Sequence, residues 1–171
     1  MAKEFRKLFP GIQITLKIDN RENILGMLAR NEVDLAIMGR VPQEMDCEST
    51  PFVTNPMAIV SSPSHPLSRR KQLSFKDLEN QEFVVRELGS GTRQAMERLF
   101  KDNDTKLSVA MEMPSNETIK QAVMAGMGLS FLSLRTVRHE ISTGHIALLD
   151  IIGLPHLGHW YITHRVQKKL S

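Results

Sequence analysis

Two apolar periodicities alternate along the chain, and this alternation most constrains the fold. Residues 12–18 (IQITLKI) carry an apolar side chain at every second position, which is typical of a strand. Residues 82–87 (EFVVRE) form a short apolar run, and residues 91–101 then show apolar side chains at helical spacing. Strands separated by helices of this length need crossover connections, which produce parallel sheets. The sequence therefore predicts an α/β protein.

The same patterns place the other elements of the first half. Residues 3–9 have helical spacing, and this helix is expected to end at Pro10. Asp19 is predicted to cap a second helix, because Glu22 three residues later completes a capping box. Its predicted buried face consists of Ile24, Leu25 and Leu28. Strands are predicted at residues 33–39, 49–53 and 57–62.

The second half repeats the alternation. Residues 74–80 predict one helical turn, and Ser115 opens a helix over residues 115–126. A further short helix is expected at residues 135–141. The predicted buried face of the helix opened by Ser115 consists of Ile119, Val123 and Met127. The predicted strands are residues 82–87, 106–113, 129–134, 146–151 and 159–165.

Composition excludes several classes of protein. The 171 residues, 41% hydrophobic and 24% charged, are those of an ordinary globular protein with one sizeable core or two small lobes. A net charge of +3 with both signs interspersed is not the basic stripe that nucleic-acid binding requires. Cys47 is the single cysteine, so no intrachain disulfide can form and a reducing compartment is indicated. No apolar stretch is long enough for a membrane helix, and no secretory signal is recognisable. We expect a cytoplasmic protein, or a piece of one.

Residues 89–93, here called the glycine loop, join a predicted strand to a predicted helix with the sequence Gly-Ser-Gly-Thr-Arg. A helix N-terminus offers unpaired N–H groups and partial positive charge, so it favours an anion. The plain alternative, a tight turn with Ser90 or Thr92 as helix cap, is about as consistent with these residue types. A P-loop is excluded because no Gly-Lys-Ser/Thr follows. A dinucleotide fingerprint is disfavoured because Gln94 replaces its third glycine.

Four stretches together resemble the effector-binding domain of LysR-type transcriptional regulators, and most closely the regulators of carbon-fixation operons. They are residues 16–42 (LKIDNRENILGMLARNEVDLAIMGRVP), 84–100 (VVRELGSGTRQAMERLF), 113–133 (MPSNETIKQAVMAGMGLSFLS) and 160–165 (WYITHR). The resemblance runs from about residue 4 to the C-terminus. It implies a ligand-sensing regulatory domain with no catalytic role.

The resemblance implies a two-lobed fold like that of type 2 periplasmic binding proteins, with parallel or mixed sheets, flanking helices and two crossing strands. Lobe one would comprise residues 1–56 plus 162–171, and lobe two residues 57–161. The first strand of the family fold is expected to be missing, and the last helix of lobe one to be cut short. Family members act as homodimers or homotetramers, and they contact promoter DNA through a winged helix-turn-helix domain that this chain lacks. No membrane partner is expected.

The resemblance also implies an effector site between the lobes. Its expected residues are Asn20, Arg40, Gly89, Ser90, Gly91, Thr92, Arg93, Ser115 and Asn116. Two helix N-termini and two arginines around one cleft suit a small organic anion. The subgroup suggests a sugar phosphate, a phosphoglycolate-like acid or NADPH. No metal and no other cofactor is expected, and the Arg93 side chain is expected to point into a solvated cleft.

Other residues could indicate different functions, and each has a plainer interpretation. The histidines His156, His159 and His164 are predicted to be packed or solvated rather than metal ligands. The methionines Met111, Met113, Met124 and Met127 are predicted to fill a core. Cys47 lacks a partner cysteine and is expected to be an ordinary thiol. The alternatives to a regulator are a transport-type solute-binding protein of the same fold and a phosphate-handling enzyme, for which no nucleophile–base pair can be assembled.

Overall fold

Helices and strands alternate along the chain in a computed structural model that describes residues 2–40, 42–43 and 45–166. The helices are α1 (Ala2–Leu8), α2 (Arg21–Ala29), α3 (Gly91–Asp102), α4 (Asn116–Met124) and α5 (Arg138–Ser142). The strands are β1 (Ala36–Met38), β2 (Cys47–Ser61), β3 (Glu82–Arg86), β4 (Ser108–Met113), β5 (Ser130–Ser133), β6 (Ala147–Leu148) and β7 (His156–Arg165). Short 3-10 turns occupy Pro66–Arg69 and Phe75–Leu78. None of the helices in this described part of the chain is both long and apolar enough to cross a membrane.

The sheets are mixed, which confirms the α/β class and the parallel or mixed sheets that the resemblance implies. One sheet has the order β1-β7-β2-β5, with β6 also on β2, and all of these pairs are antiparallel. β3 and β4 form a parallel pair, and a parallel bridge between Phe83 and Leu129 joins β3 to the start of β5. The crossover helices α3 and α4 therefore produce parallel pairing only within lobe two, because the other connections return along long antiparallel strands.

The crossing strands are β2 and β7, which pair from Cys47 opposite Arg165 to Met57 opposite His156. The sequence predicts two separate strands at residues 49–53 and 57–62, and this prediction is wrong, because β2 is continuous. A register shift between Pro51 and Val53 absorbs the irregularity that a proline introduces into a ladder. The proposed lobe boundaries fall on these strands and stay a prediction, and residues 167–171 lie outside the described part.

Lobe two contains the larger share of the core. Phe83 and Phe100 are almost completely buried, with their ring centroids 5.1 Å apart in an edge-to-face arrangement. A second cluster lies around α4, whose Ile119 and Val123 are buried as predicted. Met127 is exposed instead, because α4 ends at Met124 and the chain turns away from the helical face. The core of lobe two therefore holds β3 and the starts of α3 and α4 in fixed positions.

Lobe one has a small core and a poorly covered N-terminal region. Leu28 of α2 packs with Ala36 and Met38 of β1. The predicted strand at residues 12–18 is absent: the segment is irregular, and no described residue forms a ladder with it. A strand needs a neighbour to receive its hydrogen bonds, and an alternating pattern alone does not provide one. The resemblance places a further strand between this segment and β1, and that placement stays a prediction.

The start of α2 is one residue later than predicted. The N-cap is Asn20, whose side-chain oxygen accepts a hydrogen bond from the Asn23 backbone N–H at 3.0 Å. The Asp19 carboxylate instead accepts bonds from the Asn20 N–H and the Asn23 side chain. Glu22 is therefore not engaged in a capping box with Asp19 and is available to lobe two.

Candidate functional site

The glycine loop begins where β3 ends, and its first glycine is required by the backbone. Gly89 has a φ of +84°, a conformation that L side chains rarely adopt. A Cβ at this position would lie 2.6 Å from a carboxylate oxygen of Glu22 in lobe one. Ser90 occupies the N-cap position of α3 with 2% exposure, yet its side chain makes no capping hydrogen bond. Gly89 is thus needed both for the turn and for close approach of the two lobes.

The N-terminus of α2 meets the glycine loop directly. The Glu22 backbone N–H donates a hydrogen bond to the Gly89 carbonyl at 3.2 Å. The Asn20 side chain lies close enough to the Glu87 carboxylate, which follows β3, to help lower the pKa of that group. One of the free N–H groups at this helix end is therefore satisfied by the glycine loop itself. We call this contact between α2 and residues 87–93 the lobe junction.

Glu87 is held in its charged form at the junction. Burial alone would raise the pKa of its carboxyl, but hydrogen bonds from Arg86 and Asn20, together with the charge of Arg86, lower that pKa overall. The Arg86 guanidinium donates to both Glu87 oxygens, at 2.7 and 2.9 Å. It also donates to the Asn116 side-chain oxygen at 3.0 Å. The Arg86 guanidinium therefore links Glu87, just after β3, to Asn116 at the start of α4.

Three further predicted site residues lie beside the lobe junction and have different roles: Ser115, Asn116 and Thr92. The Ser115 hydroxyl caps α4 by accepting from the Thr118 N–H at 3.1 Å, as its sequence position predicts. Asn116 is brought into the junction through Arg86. Thr92 forms no side-chain hydrogen bond with any residue that the structure describes. Their part in effector binding stays a prediction.

Arg93 does not point into a solvated cleft, contrary to the sequence expectation. Its side chain is 12% exposed and donates to the Glu97 carboxylate at 2.5 Å. It also donates to the Arg86 carbonyl at 3.1 Å and lies 3.4 Å from a Glu112 oxygen. Two carboxylates already compensate this charge, because Glu97 lies one helical turn away and Glu112 ends the neighbouring strand.

Arg40 and Arg21 approach each other beneath the glycine loop. The Arg21 guanidinium donates to the Arg40 carbonyl at 2.8 Å and lies 3.4 Å from the Met38 sulfur. The Arg40 side chain is exposed and donates to the neutral Gln43 amide oxygen at 3.3 Å. A Cβ at Gly91 would be in ordinary contact with the Arg21 side chain, at 3.7 Å. The predicted residues Arg40 and Gly91 are thus linked through Arg21.

Sequence reasoning missed Arg98, Glu22 and Glu87. Burial of part of its side chain, followed by the positive charges of Arg40 and Arg21, lowers the pKa of Arg98, although the residue as a whole is exposed. One signal was available for Arg98: it lies seven residues after Gly91 on α3 and therefore faces the same side. The approach of Glu22 depends on packing between distant segments, and no local pattern indicates it.

The other singled-out residues have ordinary surroundings. His156 and His164 lie eight residues apart on β7, which separates them by roughly 26 Å and rules out a shared metal ion. His164 instead lies 3.5 Å from Glu48 on β2. Among the described residues, no group of three histidine, cysteine or acidic side chains is arranged for a metal ion. Burial raises the pKa of the Cys47 thiol, which lowers its reactivity.

The methionine prediction is half correct. Met113 and Met124 pack against the α4 cluster, but Met111 and Met127 are 39% and 48% exposed. Met111 is exposed because residues 109–112 of β4 are all exposed, so neither face of this strand is covered by the described residues.

Two surface cavities lie away from the lobe junction. One of about 140 Å³ is lined by Ala29, Met45, Asp46 and Arg165. Another of about 370 Å³ is shallow and lies around Lys120 and α5. The junction has side chains of both lobes in contact, so its importance comes from charge and contact between the lobes, not from an enclosed volume.

The comparison with known proteins supports the two-lobed fold described above. The family model described as the LysR substrate binding domain matches residues 1–171. A transcriptional activator, CmpR from Synechocystis sp. (strain ATCC 27184 / PCC 6803 / Kazusa), is 45% identical over 98% of this chain and 55% of its own length. The regulator CbbR from Rhodospirillum rubrum is 48% identical over 95% of this chain and 54% of its own length. The chain thus spans about half the length of these curated relatives.

Solved structures show the same fold. The CcmR regulatory domain of Synechocystis PCC6803, solved in complex with 2-PG, has a TM-score of 0.93 and 37% identity, covering 99% of this chain and 82% of that one. The effector binding domain of QuiR in complex with shikimate has a TM-score of 0.84 over 99% of this chain and 81% of that one, and at 19% identity it shows the fold alone. The two-lobed, type 2 periplasmic-binding-protein-like architecture is confirmed. This chain belongs to the LysR substrate-binding domain family.

Proposed function

We propose that this domain senses a small organic anion for a LysR-type transcriptional regulator of carbon-fixation genes. The anion binds between the lobes, and it is a phosphoglycolate-like acid, a sugar phosphate or NADPH. Promoter DNA is contacted by a separate winged helix-turn-helix domain, in a homodimer or homotetramer that works in the cytoplasm. No catalytic role is proposed, since the relatives named above are transcriptional regulators.

One observation carries the proposal: the N-terminus of α2 and the glycine loop meet across the two lobes, with arginines on both sides. The Glu22 N–H to Gly89 carbonyl bond joins the lobes at 3.2 Å, and the Arg21 side chain of α2 lies beside Gly91 of the glycine loop. An anion placed here would contact both lobes at once. The similar CcmR domain, 37% identical, was solved with 2-PG.

The proposed mechanism is a shift between lobe orientations. An anion changes this equilibrium only by binding one orientation more tightly than the other. The orientation with the junction closed holds the N-terminus of α2 against the glycine loop. An anion between them would favour that orientation because it contacts both, and a family oligomer would convey the change to its DNA-binding domains.

A ligand panel tests the proposal. The chain would be heated with 2-phosphoglycolate, a pentose phosphate or NADPH, with glycolate and shikimate as unphosphorylated controls. A ligand at a hundredfold excess over its Kd stabilises a protein by about 2.7 kcal/mol, so we expect Tm to rise by roughly 5–10 °C for at least one anion. Calorimetry would give its Kd. If none of these compounds raises Tm or releases heat, the proposed function is wrong.

A further inference from the structure

The crossing strand β2 is attached to lobe two before its ladder with β5 begins at Met57. The Arg135 guanidinium donates to the Thr54 carbonyl at 2.7 Å. The Ser133 hydroxyl donates to the side-chain oxygen of Asn55 at 2.6 Å, and both residues are buried. Ser133 ends β5 and Arg135 lies just after it, so β2 is held to lobe two from residue 54 onward.

The opposite ends of the crossing strands are attached to lobe one. β1 pairs with residues 161–163 of β7, and the hydroxyls of Ser49 and fully buried Thr163 lie 2.8 Å apart. The Arg165 guanidinium donates to the Ala29 carbonyl, at the end of α2, at 3.0 Å. The start of β2 and the end of β7 are therefore held to lobe one.

The ladder between β2 and β7 is irregular between these two sets of attachments. Pro51 lies opposite Tyr161 and Val53 opposite Trp160, so Phe52 has no opposite residue on β7. Such a bulge bends its strand and disrupts the ladder locally. Pro51 also has no N–H to donate. The bulge is therefore the place where the crossing strands resist bending least.

We propose that the lobes turn about a hinge formed by residues 51–53 of β2 and residues 160–161 of β7, and that Arg135 and Ser133 fix its position. A hinge consists of a few residues between rigid parts of a chain, and the bulge separates two such parts. The resemblance places the boundary on β2 between residues 56 and 57, which lies inside the stretch that lobe two holds. The inference takes from the proposed function only that the lobes change orientation.

The stretch of β2 held by lobe two is closely packed, which favours bending at the bulge. A Cβ at Gly158 of β7 would lie 3.3 Å from the Asn55 carbonyl, so the two backbones are in close contact there. The Asn55 side chain is buried, and without the Ser133 hydroxyl its oxygen would lose a partner that compensates for burial. Loss of either anchor should therefore release residues 54–55 and let them join the hinge.

The first test locates the hinge by amide hydrogen exchange, followed by NMR in the chain without ligand. The Thr54 and Pro56 carbonyls accept hydrogen bonds from the turn after β5, so the alternate residues Val53, Asn55 and Met57 direct their N–H groups toward β7. These three amides can therefore be compared directly. We expect Val53 to exchange at least about tenfold faster than Asn55 and Met57, because local opening at the bulge costs less free energy.

The second test removes each anchor and compares it with a matched control on α5. Ser133→Ala is compared with Ser142→Ala, and Arg135→Gln with Arg138→Gln. We expect each anchor variant to speed the exchange of Asn55 by roughly five- to tenfold, the usual effect of losing one hydrogen bond. The two control variants should leave this exchange unchanged.

Lobe motion is measured in the same variants with spin labels at exposed Glu32 of lobe one and exposed Lys101 of lobe two, in a Cys47→Ser background. Electron–electron double resonance gives the distribution of distances between the two labels. Each anchor variant should broaden this distribution, since a longer hinge allows more lobe orientations, and the controls should not. Arg135→Gln changes an exposed side chain, so it keeps the test available if Ser133→Ala does not fold.

Two results would overturn the proposed hinge. One is that Met57 exchanges as fast as Val53, which would mean that bending is not confined to the bulge. The other is that neither anchor variant changes the exchange of Asn55 or the distribution of distances. Both tests are made without ligand, so a misplaced hinge is distinguishable from a failure of the proposed function, which the ligand panel decides.

Discussion

Lobe two and the N-terminal residues 4–18 have equally apolar patterns and opposite degrees of burial. Phe83, Val84 and Val85 of β3 are at most 1% exposed, whereas Leu16 and Ile18 are 78% and 87% exposed. β3 pairs with β4 and bridges to Leu129, and α3 and α4 cover it. Residues 12–18 have no described ladder partner. The comparison shows that an apolar run or an alternating pattern indicates a possible strand, but only neighbours determine whether the strand forms.

The largest expected effect comes from removing a core side chain in lobe two. Phe100 is 1% exposed and makes edge-to-face contacts with Phe75 and Phe83, at centroid distances of 5.7 and 5.1 Å. We expect Phe100→Ala to lower the free energy of unfolding by about 3–5 kcal/mol. Leu16→Ala, the matched change in the uncovered region, should stay within about 0.5 kcal/mol.

Both changes in the free energy of unfolding would be measured by urea unfolding, with the circular dichroism signal as the probe. If Phe100→Ala does not fold, Phe100→Leu gives a smaller loss of the same origin and can replace it. Equal losses at Phe100 and Leu16 would contradict the comparison, because they would mean that residues 12–18 are covered in solution.

A smaller effect is expected at the lobe junction, where two glycines in one loop differ. Gly89→Ala forces a side chain into a positive φ and against the Glu22 carboxylate, so it should cost about 1–2 kcal/mol. Gly91→Ala places a methyl group at the start of α3 with ordinary contacts to Arg21. It should be neutral or stabilise by about 0.4–1 kcal/mol, because alanine restricts the unfolded chain.

The double variant Gly89→Ala with Glu22→Ala separates the two causes in the same urea experiment. Removing the Glu22 side chain relieves the close approach but not the strained backbone, so part of the loss should return. A Gly89→Ala protein as stable as Gly91→Ala would show that the loop does not hold this conformation against α2.

The sequence predicted most of lobe two because its signals are local. Ser115 was identified as the cap of α4, and Ile119 and Val123 as its buried face, from spacing alone. The cap of α2 was misplaced by one residue, because Asp19 and Asn20 are both good capping residues and only the fold selects between them. Local sequence patterns indicate which residues form a helix or strand. Where two neighbouring residues could both cap a helix, tertiary contacts decide which one does.

The sequence identified candidate residues for the site but did not predict which charged residues pair with them. The residue types of the glycine loop single it out and the resemblance implies Arg40, whereas the contact between the glycine loop and α2 depends on how the lobes pack. Arg93 was expected to be available, yet Glu112 reaches it from the next strand. Arg98 lies on the same face of α3 as Gly91, but no local pattern relates it to Arg40. Which arginines have their charge compensated, as Arg93 does, is therefore a property of the folded chain.

The smallest expected effect compares a surface carboxylate of each lobe, half-buried Asp77 and exposed Asp19, as pH falls. The backbone N–H of Ser74, its hydroxyl and Arg70 lower the pKa of Asp77 to about 2, and bonds from the Asn23 side chain and the Asn20 N–H lower that of Asp19. Each folded pKa lies below the unfolded value, so the stabilisation is present above about pH 4 and disappears as pH falls through the folded pKa.

Asp77→Asn should therefore lower the urea midpoint at pH 7, and the gap from the unaltered chain should narrow progressively below pH 4. Asp19→Asn should also lower the urea midpoint, but by less. An arginine helps to lower the pKa of Asp77, and none contributes to that of Asp19. Urea midpoints measured between pH 7 and pH 2.5 give both curves. An effect of the Asp77 charge must decline as its carboxyl becomes protonated. If the difference in urea midpoint between Asp77→Asn and the unaltered chain stays constant across this range, the charge of Asp77 does not stabilise the 3-10 turn.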